Sequence, residues 1–422
     1  MRVPIAVAAA TLAIAAGVAG LWTTAEGADR EAPDASERPA AVDGPAVARD
    51  TGSGQAEAAA LRKVRKLPIN KLAGQRVIVS YDGRDPPDRL FKLIRRGLIG
   101  GVIFFGANTG FVPPNFDSDK PHVRSVTTRM QKARRKASPM ILRRPLLMMT
   151  DQEGGLVRRL NEAPSNSERE IGKASNGPHL ARQAAKGAAQ NLASVGMNLN
   201  LAPVLGVINN GDGFLGQFQR SYGFNKDRVA RLGHLFIKVF QKRGLSATSK
   251  HFPGLGGATK RQNTDERPVT LDIPLNRLRN KDEVPFERAI RTGTDMIMIS
   301  NATYPALDRK YPASMSKKVI QGELRERLGY EGVTITDALE AGGLRKVGNI
   351  PRRAIRGAKA GADLLLFSKQ SLNEGIEASK ALRRALRDGR LDRNDYAESA
   401  HRVLRLRKQL SAVPGFKLPQ GP

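Results

Sequence analysis

Eight short apolar segments, each followed by a helical segment, constrain the fold of this chain more than any other feature. They cover residues 75–81, 101–105, 146–149, 197–204, 245–251, 295–299, 333–335 and 363–367. Nearly continuous apolar strands that alternate with helices are typical of a parallel sheet covered on both faces. Eight in succession favour a closed barrel over an open doubly wound sheet. The sequence therefore predicts an α/β fold with a (β/α)8 TIM-type barrel.

The N-terminal region predicts export from the cytoplasm. Arg2 precedes an apolar run over residues 3–22, and small residues follow near Ala28. This order is typical of a signal peptide, and the run is also long enough for a single membrane anchor. We interpret residues 1–28 as signal peptide or membrane anchor, 29–65 as a flexible linker, 66–412 as the barrel and 413–422 as a tail. The predicted location is extracytoplasmic, either secreted or N-terminally membrane-anchored.

Composition limits the chemistry and the partners. The chain has no cysteine, which excludes disulfides, thiolate nucleophiles and thiolate metal sites. Its formal net charge is +30, but aromatic residues make up only 5%, a pattern that disfavours nucleic acid as a partner. The alternatives are a loose association with an anionic cell wall or membrane surface and a merely solvated basic surface. No cofactor and no metal are expected, because no two of the five histidines have ligand spacing on one helix.

Polar residues at the ends of the predicted strands are the candidates for chemistry. In a (β/α)8 barrel, the loops that follow the strands meet at one face and hold the active site. The residues in such positions are Asp82, Asn108, Asp151, Glu153, Lys250, His251, Asn301, Asp337 and Ser368. For Asn108, Asn301 and Ser368 we favour capping of the next helix over a catalytic role.

The sharpest of these signals is the adjacent pair Lys250 and His251, because a buried strand does not hold two such residues unpaired. Asp337 lies between apolar residues at the end of the seventh strand, which suits a nucleophile; the alternative is the N-cap of a following helix. Asp151 and Glu153 bracket a single residue. We expect only one of them to face a ligand and prefer Asp151, which directly follows its strand.

The loop over residues 254–268 is long, polar and rich in glycine near its start. A loop of this kind can close over a substrate and bring a general acid to it. The alternative is a surface loop without a catalytic role.

Four motifs in this order together resemble glycoside hydrolase family 3. They are residues 151–155 (DQEGG), 220–223 (RSYG), 250–254 (KHFPG) and 336–339 (TDAL). The resemblance extends from about residue 67 to residue 410 and is greatest to the single-barrel branch, the β-N-acetylglucosaminidases that trim cell-wall fragments. It implies that Asp337 is the nucleophile that forms a covalent glycosyl-enzyme. It also implies a set of residues that hold the hydroxyls of the terminal sugar, namely Asp151, Arg159, Arg220, Lys250 and His251.

One departure from that branch concerns the proton donor. The branch usually carries an Asp-Ser/Thr-His motif on the loop after the Lys-His strand, and its histidine acts as acid/base. Here the corresponding residues are 263–265 (NTD), and no histidine follows His251 in this loop. A carboxylic acid with a raised pKa can donate the proton instead. Asp265 is therefore the candidate acid/base, and Glu266 is the reserve.

The resemblance implies a retaining exo-β-glycosidase that hydrolyses terminal β-N-acetylglucosaminides of cell-wall or chitin-type oligosaccharides. The expected partner is thus an amino-sugar oligosaccharide. Alternatives are a β-glucosidase or β-xylosidase of the same family, and an envelope glycan-binding protein whose catalysis is weakened by loss of the histidine. A Schiff-base enzyme built on Lys250 is a further alternative, which the match of four motifs disfavours.

Overall fold

The computed structural model describes residues 51–105 and 119–411. The predicted signal segment, most of the predicted linker, the predicted tail and Asn108 lie outside these residues. Within them, no helix combines the length and the apolar character needed to cross a membrane.

Ten strands lie in the described residues. They are β1 (Val77–Val79), β2 (Gly101–Ile103), β3 (Leu147–Thr150), β4 (Gln152–Gly154), β5 (Val157–Arg158), β6 (Leu199–Asn200), β7 (Ser246–Phe252), β8 (Met296–Ile299), β9 (Val333–Thr336) and β10 (Leu365–Leu366). Eight of them pair in parallel in the order β10-β1-β2-β3-β6-β7-β8-β9. Ile335 and Leu364 form a further parallel bridge, which joins β9 to β10. The predicted (β/α)8 barrel is confirmed.

Helices follow the strands and cover the outside of the barrel. They are α1 (Thr51–Arg65), α2 (Ile69–Gly74), α3 (Asp88–Arg95), α4 (Lys120–Arg135), α5 (Glu168–Lys173), α6 (Gly177–Ser194), α7 (Lys226–Gln241), α8 (Leu275–Arg277), α9 (Val284–Thr292), α10 (Ile350–Ala360), α11 (Leu372–Arg387) and α12 (Arg393–Ser411). Two π-helical segments, Leu278–Asp282 and Lys318–Arg327, and four short 3-10 turns, Met140–Arg143, Gly216–Phe218, Ala313–Met315 and Gly342–Val347, complete the described elements.

Local signals in the sequence place the ends of these helices. The Asn225 side chain accepts hydrogen bonds from the backbone N–H groups of Asp227 and Arg228, each with a donor–acceptor distance of 2.9 Å. Asn225 is therefore the N-cap of α7. At the other end of a helix, Gly361 follows α10 with a φ of 99°, a left-handed conformation that glycine adopts without steric cost.

The barrel interior is a packed core rather than a channel. The strands contribute buried apolar side chains to one cluster, which comprises Ile78, Ile103, Leu147, Met149, Leu199, Leu201, Met296, Met298, Val333, Ile335, Leu364 and Leu366. Val403, Leu406 and Leu410 of α12 belong to the same cluster. Helix α12 therefore covers the amino-terminal end of the barrel, here called the floor. The opposite end, where the strands finish, is called the mouth.

The end of the predicted linker is helical, which corrects that interpretation for residues 51–65. Small and polar residues dominate this stretch, but helix α1 packs on α12. Val64 is fully buried, Glu57 lies 3.3 Å from Arg405, and Arg65 lies 3.2 Å from Glu398. Contacts with a segment more than 300 positions away in the sequence thus order a region whose local composition is typical of a tether.

Candidate active site

The mouth of the barrel brings together side chains from four separate parts of the chain. Asp151 follows β3, Lys250 lies in the last part of β7, and Asp337 follows β9. The side chain of Arg220 reaches the same region from the segment between β6 and α7 and binds Glu153. Parallel strands finish at the same end of a barrel, so distant positions in the sequence become neighbours there.

Lys250 is the centre of a buried ion cluster. Its Nζ lies 2.7 Å from Asp151 Oδ1 and 2.6 Å from Glu153 Oε1, and its side chain is only 1% exposed. The expectation that only Asp151 would face the site is wrong, because both carboxylates bind the same ammonium group. Residues two apart along an extended chain lie on the same side of it.

Two arginines extend this cluster towards the open mouth. Arg220 donates from Nε and Nη2 to the two carboxylate oxygens of Glu153, over 2.9 and 3.0 Å. Arg159 Nη2 lies 3.7 Å from Asp151 Oδ2. Arg158, in contrast, points away and donates to the Glu162 carbonyl at the surface. The fork-to-fork pair between Arg220 and Glu153 fixes the orientation of the guanidinium.

A short hairpin that the sequence analysis did not predict holds Glu153 in this place. Strands β4 and β5 pair antiparallel directly after β3. Gly154 and Gly155 in its turn have φ angles of 114° and 55°, which side-chain-bearing residues rarely adopt. A Cβ on Gly155 would approach Ser167 Cβ to 2.5 Å. The two glycines after Glu153 therefore serve a tight turn packed against its neighbours.

Compensating charges keep the cluster ionised. Burial alone would raise the pKa of Asp151, but Lys250 and Arg159 lower it below its usual value. Burial likewise opposes the ionisation of Glu153, and Arg220 with Lys250 lowers its pKa. The pKa of Lys250 is raised, because Asp151 and Glu153 outweigh the effect of burial. The cluster is a set of fixed charges at neutral pH.

His251 follows Lys250 and is 4% exposed. Burial, together with the charges of Arg220 and Lys250, lowers the pKa of the imidazole well below its usual value, so the ring is neutral. Its Nδ1 has no hydrogen-bond partner among the described residues. The pairing of β7 with β8 shifts register between Ser249 and Phe252, and such an irregularity re-aims side chains at a strand end.

Asp337 lies at the tip of β9, near a second carboxyl group. Its Oδ1 accepts a hydrogen bond from Ala338 N over 2.8 Å, a contact with the next residue rather than the N-cap of a helix. Burial and then the charge of Asp265 raise the pKa of Asp337 to about 7, against the opposing effects of the Ala338 N–H, Lys250 and Arg220. This environment leaves Asp337 ready to hold or release a proton near neutral pH.

The loop over residues 254–268 brings Asp265 towards Asp337. Gly342 N donates to Asp265 O over 2.7 Å, and Gly343 N donates to Thr264 O over 2.8 Å. Both glycines lie on the loop that follows Asp337. A Cβ on Gly342 would come within 2.0 Å of the Glu266 carbonyl oxygen, so the close approach of the two loops needs glycine. The backbone thus clamps the acid-bearing loop beside the tip of β9.

Asp265 itself stands at the rim of the mouth, where it is exposed. Although this side chain keeps contact with solvent, the protein that surrounds it raises the pKa of Asp265. The charge of Arg220 lowers that pKa, and the charges of Asp151 and Glu266 raise it. The reserve candidate Glu266 is occupied at the surface, where it accepts from Asn263 Nδ2 and Arg267 Nη2, each over 3.0 Å. Of the two carboxyl groups on this loop, the structure brings Asp265 into the electrostatic environment of Asp337.

The remaining strand-end candidates support the site or lie away from it. Asn301 is buried and donates from Nδ2 to the Ala338 carbonyl, so it holds the residue after Asp337 rather than capping a helix. Ser368 Oγ donates to Glu340 Oε1 over 2.7 Å, which is also not a cap. Asp82 is exposed and accepts from the neighbouring Gly83 N.

Sequence reasoning missed two buried groups behind the cluster, Glu168 and Tyr222. Glu168 Oε1 accepts from Val204 N over 2.8 Å, whereas Glu168 Oε2 and the Tyr222 hydroxyl have no partner among the described residues. Burial and the charge of Glu153 raise the pKa of Glu168 well above its usual value, which favours the protonated form of this carboxyl. Glu168 is the first residue of α5, next to the capping box that Ser167 forms with Glu170, and an acidic residue in a first helical turn is so common that its position behind the site is concealed.

Comparison with known proteins agrees with this architecture. The model of the glycosyl hydrolase family 3 N-terminal domain matches residues 66–406. An uncharacterized secreted glycosyl hydrolase of Arthroderma benhamiae is 43% identical over 340 residues, which cover 81% of this chain and 93% of the relative. A β-hexosaminidase of Thioalkalivibrio sulfidiphilus is 32% identical over 297 residues, which cover 69% and 79% of the two chains.

A solved structure gives the same result for the fold. The glycoside hydrolase family 3 β-N-acetylglucosaminidase from Paenibacillus superposes with a TM-score of 0.72 at 32% sequence identity, over 82% of this chain. This chain spans 63% of that longer one. The extent of the family match, together with the relative that is similar over nearly its whole length, is decisive: the chain belongs to glycosyl hydrolase family 3.

Proposed function

We propose that this glycoside hydrolase is a retaining exo-β-glycosidase that releases terminal β-N-acetylglucosamine from cell-wall or chitin-type oligosaccharides. The choice of N-acetylglucosamine as the released sugar is supported by relatives named β-hexosaminidase and by the solved β-N-acetylglucosaminidase that shares the fold. The observation that carries the proposal is the carboxyl pair of Asp337 and Asp265 at the mouth, beside a cluster of fixed charges.

The fixed charges suit the recognition of sugar hydroxyls. The side chains of Asp151, Arg159 and Arg220 are 16%, 14% and 15% exposed to solvent, whereas the side chain of Lys250 is buried. Ionised acceptors and donors of fixed orientation form strong, directional hydrogen bonds to hydroxyl groups. The neutral ring of His251 adds a group that can both donate and accept.

The chemistry follows from two carboxyl groups with different roles. In the first step the Asp337 carboxylate attacks the anomeric carbon, the glycosidic C–O bond breaks, and Asp265 gives its proton to the leaving oxygen. In the second step the Asp265 carboxylate takes a proton from water, the water oxygen attacks the same carbon, and the bond to Asp337 breaks. Two inversions retain the anomeric configuration.

The charge of Asp265 contributes to raising the pKa of Asp337 to about 7, and the pKa of Asp265 is itself raised, since carboxylates that lie close together disfavour each other's ionisation. A substrate whose anomeric carbon becomes positively charged beside Asp337 favours the arrangement in which Asp337 is ionised and Asp265 carries the proton. The positive charges of Lys250 and Arg220 act on both acids and partly offset the rise in their pKa values. The pair therefore supplies the nucleophile and the acid together.

A panel of 4-nitrophenyl glycosides tests the proposal. We expect the N-acetyl-β-glucosaminide to be hydrolysed faster than the β-glucoside and β-xyloside, and NMR of the first product to show the β-anomer. Faster turnover of the glucoside or xyloside would move the substrate to the other activities of the family. An α-anomer as first product would contradict the retaining mechanism.

A second candidate function is an envelope glycan-binding protein, because Asp265 replaces the histidine of the related branch. Calorimetry with N-acetylglucosamine oligosaccharides distinguishes the two. Binding without turnover by the unmutated protein would support this candidate. Turnover that is lost in an Asp265→Ala variant would exclude it.

The proposed location is extracytoplasmic. Support comes from the N-terminal sequence and from the Arthroderma relative, whose name describes it as secreted. Mass spectrometry of the culture supernatant and of membranes separates a released form from an anchored one. A chain retained in the cytoplasm would overturn the location.

A further inference from the structure

Basic residues are frequent in the last turns of the helices around the barrel. Helices outside a (β/α)8 barrel run back from the mouth, so their last turns lie towards the floor. Among these basic residues, Arg134 is buried, and Arg325 and Arg327 pair with Asp363 and Glu323. The other basic residues of these turns are Lys92, Arg95, Lys132, Arg135, Lys238, Arg291, Lys359, Arg384 and Arg387. Cations stabilise helix C-termini wherever they occur, so this excess by itself defines no site.

One concave part of the floor gathers cations beyond that general trend. A groove of about 610 Å³ lies between α2 and the last turns of α11, and its lining residues are Ile69, Asn70, Lys380, Arg383, Arg384 and Arg387. All four basic side chains are exposed. In the described part of the chain, Lys380, Arg383 and Arg384 take part in no ion pair, whereas Arg387 lies 3.6 Å from Asp388.

The spacing of these cations is that of one helix face. Positions 380, 383, 384 and 387 follow the i, i+3, i+4, i+7 pattern, so their side chains form a stripe about 10 Å long at 1.5 Å per residue. A single small anion would contact only part of such a stripe. A linear polymer with repeated negative charges can follow it along its whole length.

The cationic surface continues beside the groove. Arg393, at the start of α12, donates to the Leu67 carbonyl over 2.7 Å, so α12 begins close to the groove residue Ile69. The exposed Arg62, Lys63 and Lys66 belong to the same end of α1 and the turn that follows it. The polymer path is therefore longer than the groove alone.

We propose that this groove binds an anionic glycan-type polymer, a chain of sugar or polyol units that bears carboxylates or phosphodiesters. Large exposed apolar side chains, which would favour membrane insertion, occur at Met140, Leu156 and Phe224 and not in the groove. Its lining also contains no aromatic ring on which a nucleic acid base could stack. Because the groove lies at the floor, the bound protein presents its mouth away from the polymer. This inference is independent of the proposed activity.

A binding experiment with matched variants tests the groove. The full-length protein is titrated with poly(glycerol phosphate), polygalacturonate and neutral dextran at low and high salt. Anionic lipid vesicles and duplex DNA are titrated for comparison. The groove variant is Lys380→Gln/Arg383→Gln/Arg384→Gln. The control, Arg182→Gln/Lys186→Gln/Arg231→Gln, removes three exposed charges from α6 and α7. Both variants change the net charge equally, and circular dichroism melting checks their folding.

We expect the unmutated protein to bind at least one of the two polyanions and not dextran, with an affinity that falls as salt rises. The groove variant should bind at least about tenfold more weakly, since each surface cation contributes roughly fivefold to binding an anionic surface and three are removed. The control should stay within about twofold, as expected for distant surface charges that salt screens. The two polyanions distinguish phosphodiester from carboxylate recognition.

Four outcomes would overturn the inference. An equal loss in the control would assign binding to total charge. Tighter binding to anionic vesicles or duplex DNA than to both polyanions would assign the surface to another partner. Equal binding to dextran would exclude a role of charge. If the triple variant melts early, the single variants Arg383→Gln and Arg384→Gln replace it, and unchanged affinity in both would contradict the groove.

Discussion

The acids around Lys250 and the acids Asp337 and Asp265 differ in how their charges are compensated. Around Lys250 each acid has a cation within contact distance, and the pKa values of Asp151 and Glu153 are lowered. Around Asp337 the group that most affects its pKa after burial is another acid, Asp265, and both values are raised. A compensated cluster keeps its charges as the pH changes, which suits binding. An uncompensated pair can exchange a proton, which suits catalysis.

Changing Asp265 to Asn should produce the largest difference between the two groups of acids. Loss of a general acid lowers the rate by about 10²- to 10⁴-fold when the leaving group needs protonation. The loss of kcat/KM should therefore be large for an alkyl or oligosaccharide leaving group and small for 2,4-dinitrophenolate. The exposed neighbour variant Glu266→Gln is the control and should retain its rate on both substrates. Equal losses with good and poor leaving groups would contradict the role of Asp265 as the acid.

Removal of the charge at the centre of the Lys250 cluster should lower the free energy of unfolding. In Lys250→Met, Asp151 and Glu153 lose the ammonium between them, and an unpaired buried charge costs about 3–5 kcal/mol. Lys120→Met is the matched control, because Lys120 and Glu162 form an exposed pair at 2.8 Å, a type worth about 0–1 kcal/mol. Urea unfolding measures both free energies. A similar small loss in the two variants would show that the cluster around Lys250 does not stabilise the fold.

Glu168 behind the cluster links stability to pH. Its pKa is raised in the folded state, so its contribution to stability is present at acidic pH and is lost as the pH rises through the folded value. Glu168→Gln resembles the protonated acid and should gain stability over the parent at alkaline pH, on the order of 1 kcal/mol per pH unit. Urea unfolding on both sides of neutrality measures the difference. A difference in stability between variant and parent that does not change with pH would contradict a raised pKa of Glu168 in the folded state.

The smallest expected effect is a shift in the pH profile. Asp265 raises the pKa of Asp337, so removal of its charge in Asp265→Asn lowers that pKa below about 7. The acidic limb of kcat/KM, measured with 2,4-dinitrophenyl substrate, should then move to lower pH, because Asp337 ionises earlier. Lys92→Gln, which lies outside the mouth, should leave the limb in place. A limb that moves to higher pH would contradict the interaction between the two acids.

The sequence was sufficient for the barrel and for the positions of most site residues. Apolar strands with polar ends predicted that Asp151, Lys250 and Asp337 would lie at one end of the sheet, and the parallel order of the strands places them there. Local information was enough here, because strand ends in a parallel barrel share one face whatever the intervening loops contain.

Features that depend on contacts between distant segments were not predictable in this way. The role of Glu153 depends on the hairpin of β4 and β5 and on Arg220, 67 positions away. The approach of Asp265 to Asp337 depends on backbone hydrogen bonds to Gly342 and Gly343. Helix α1 depends on its packing against α12. No periodicity or composition of the local sequence predicts the hairpin, the contact between the two loops or helix α1.

Trapping of the covalent intermediate tests the central claim most directly. A fluorinated slow substrate with a good leaving group should add one sugar residue to the intact protein, and peptide mapping should place it on Asp337. The Asp337→Asn variant should stay unlabelled under the same conditions. Turnover of the slow substrate without any adduct, or an adduct on another residue, would contradict the account.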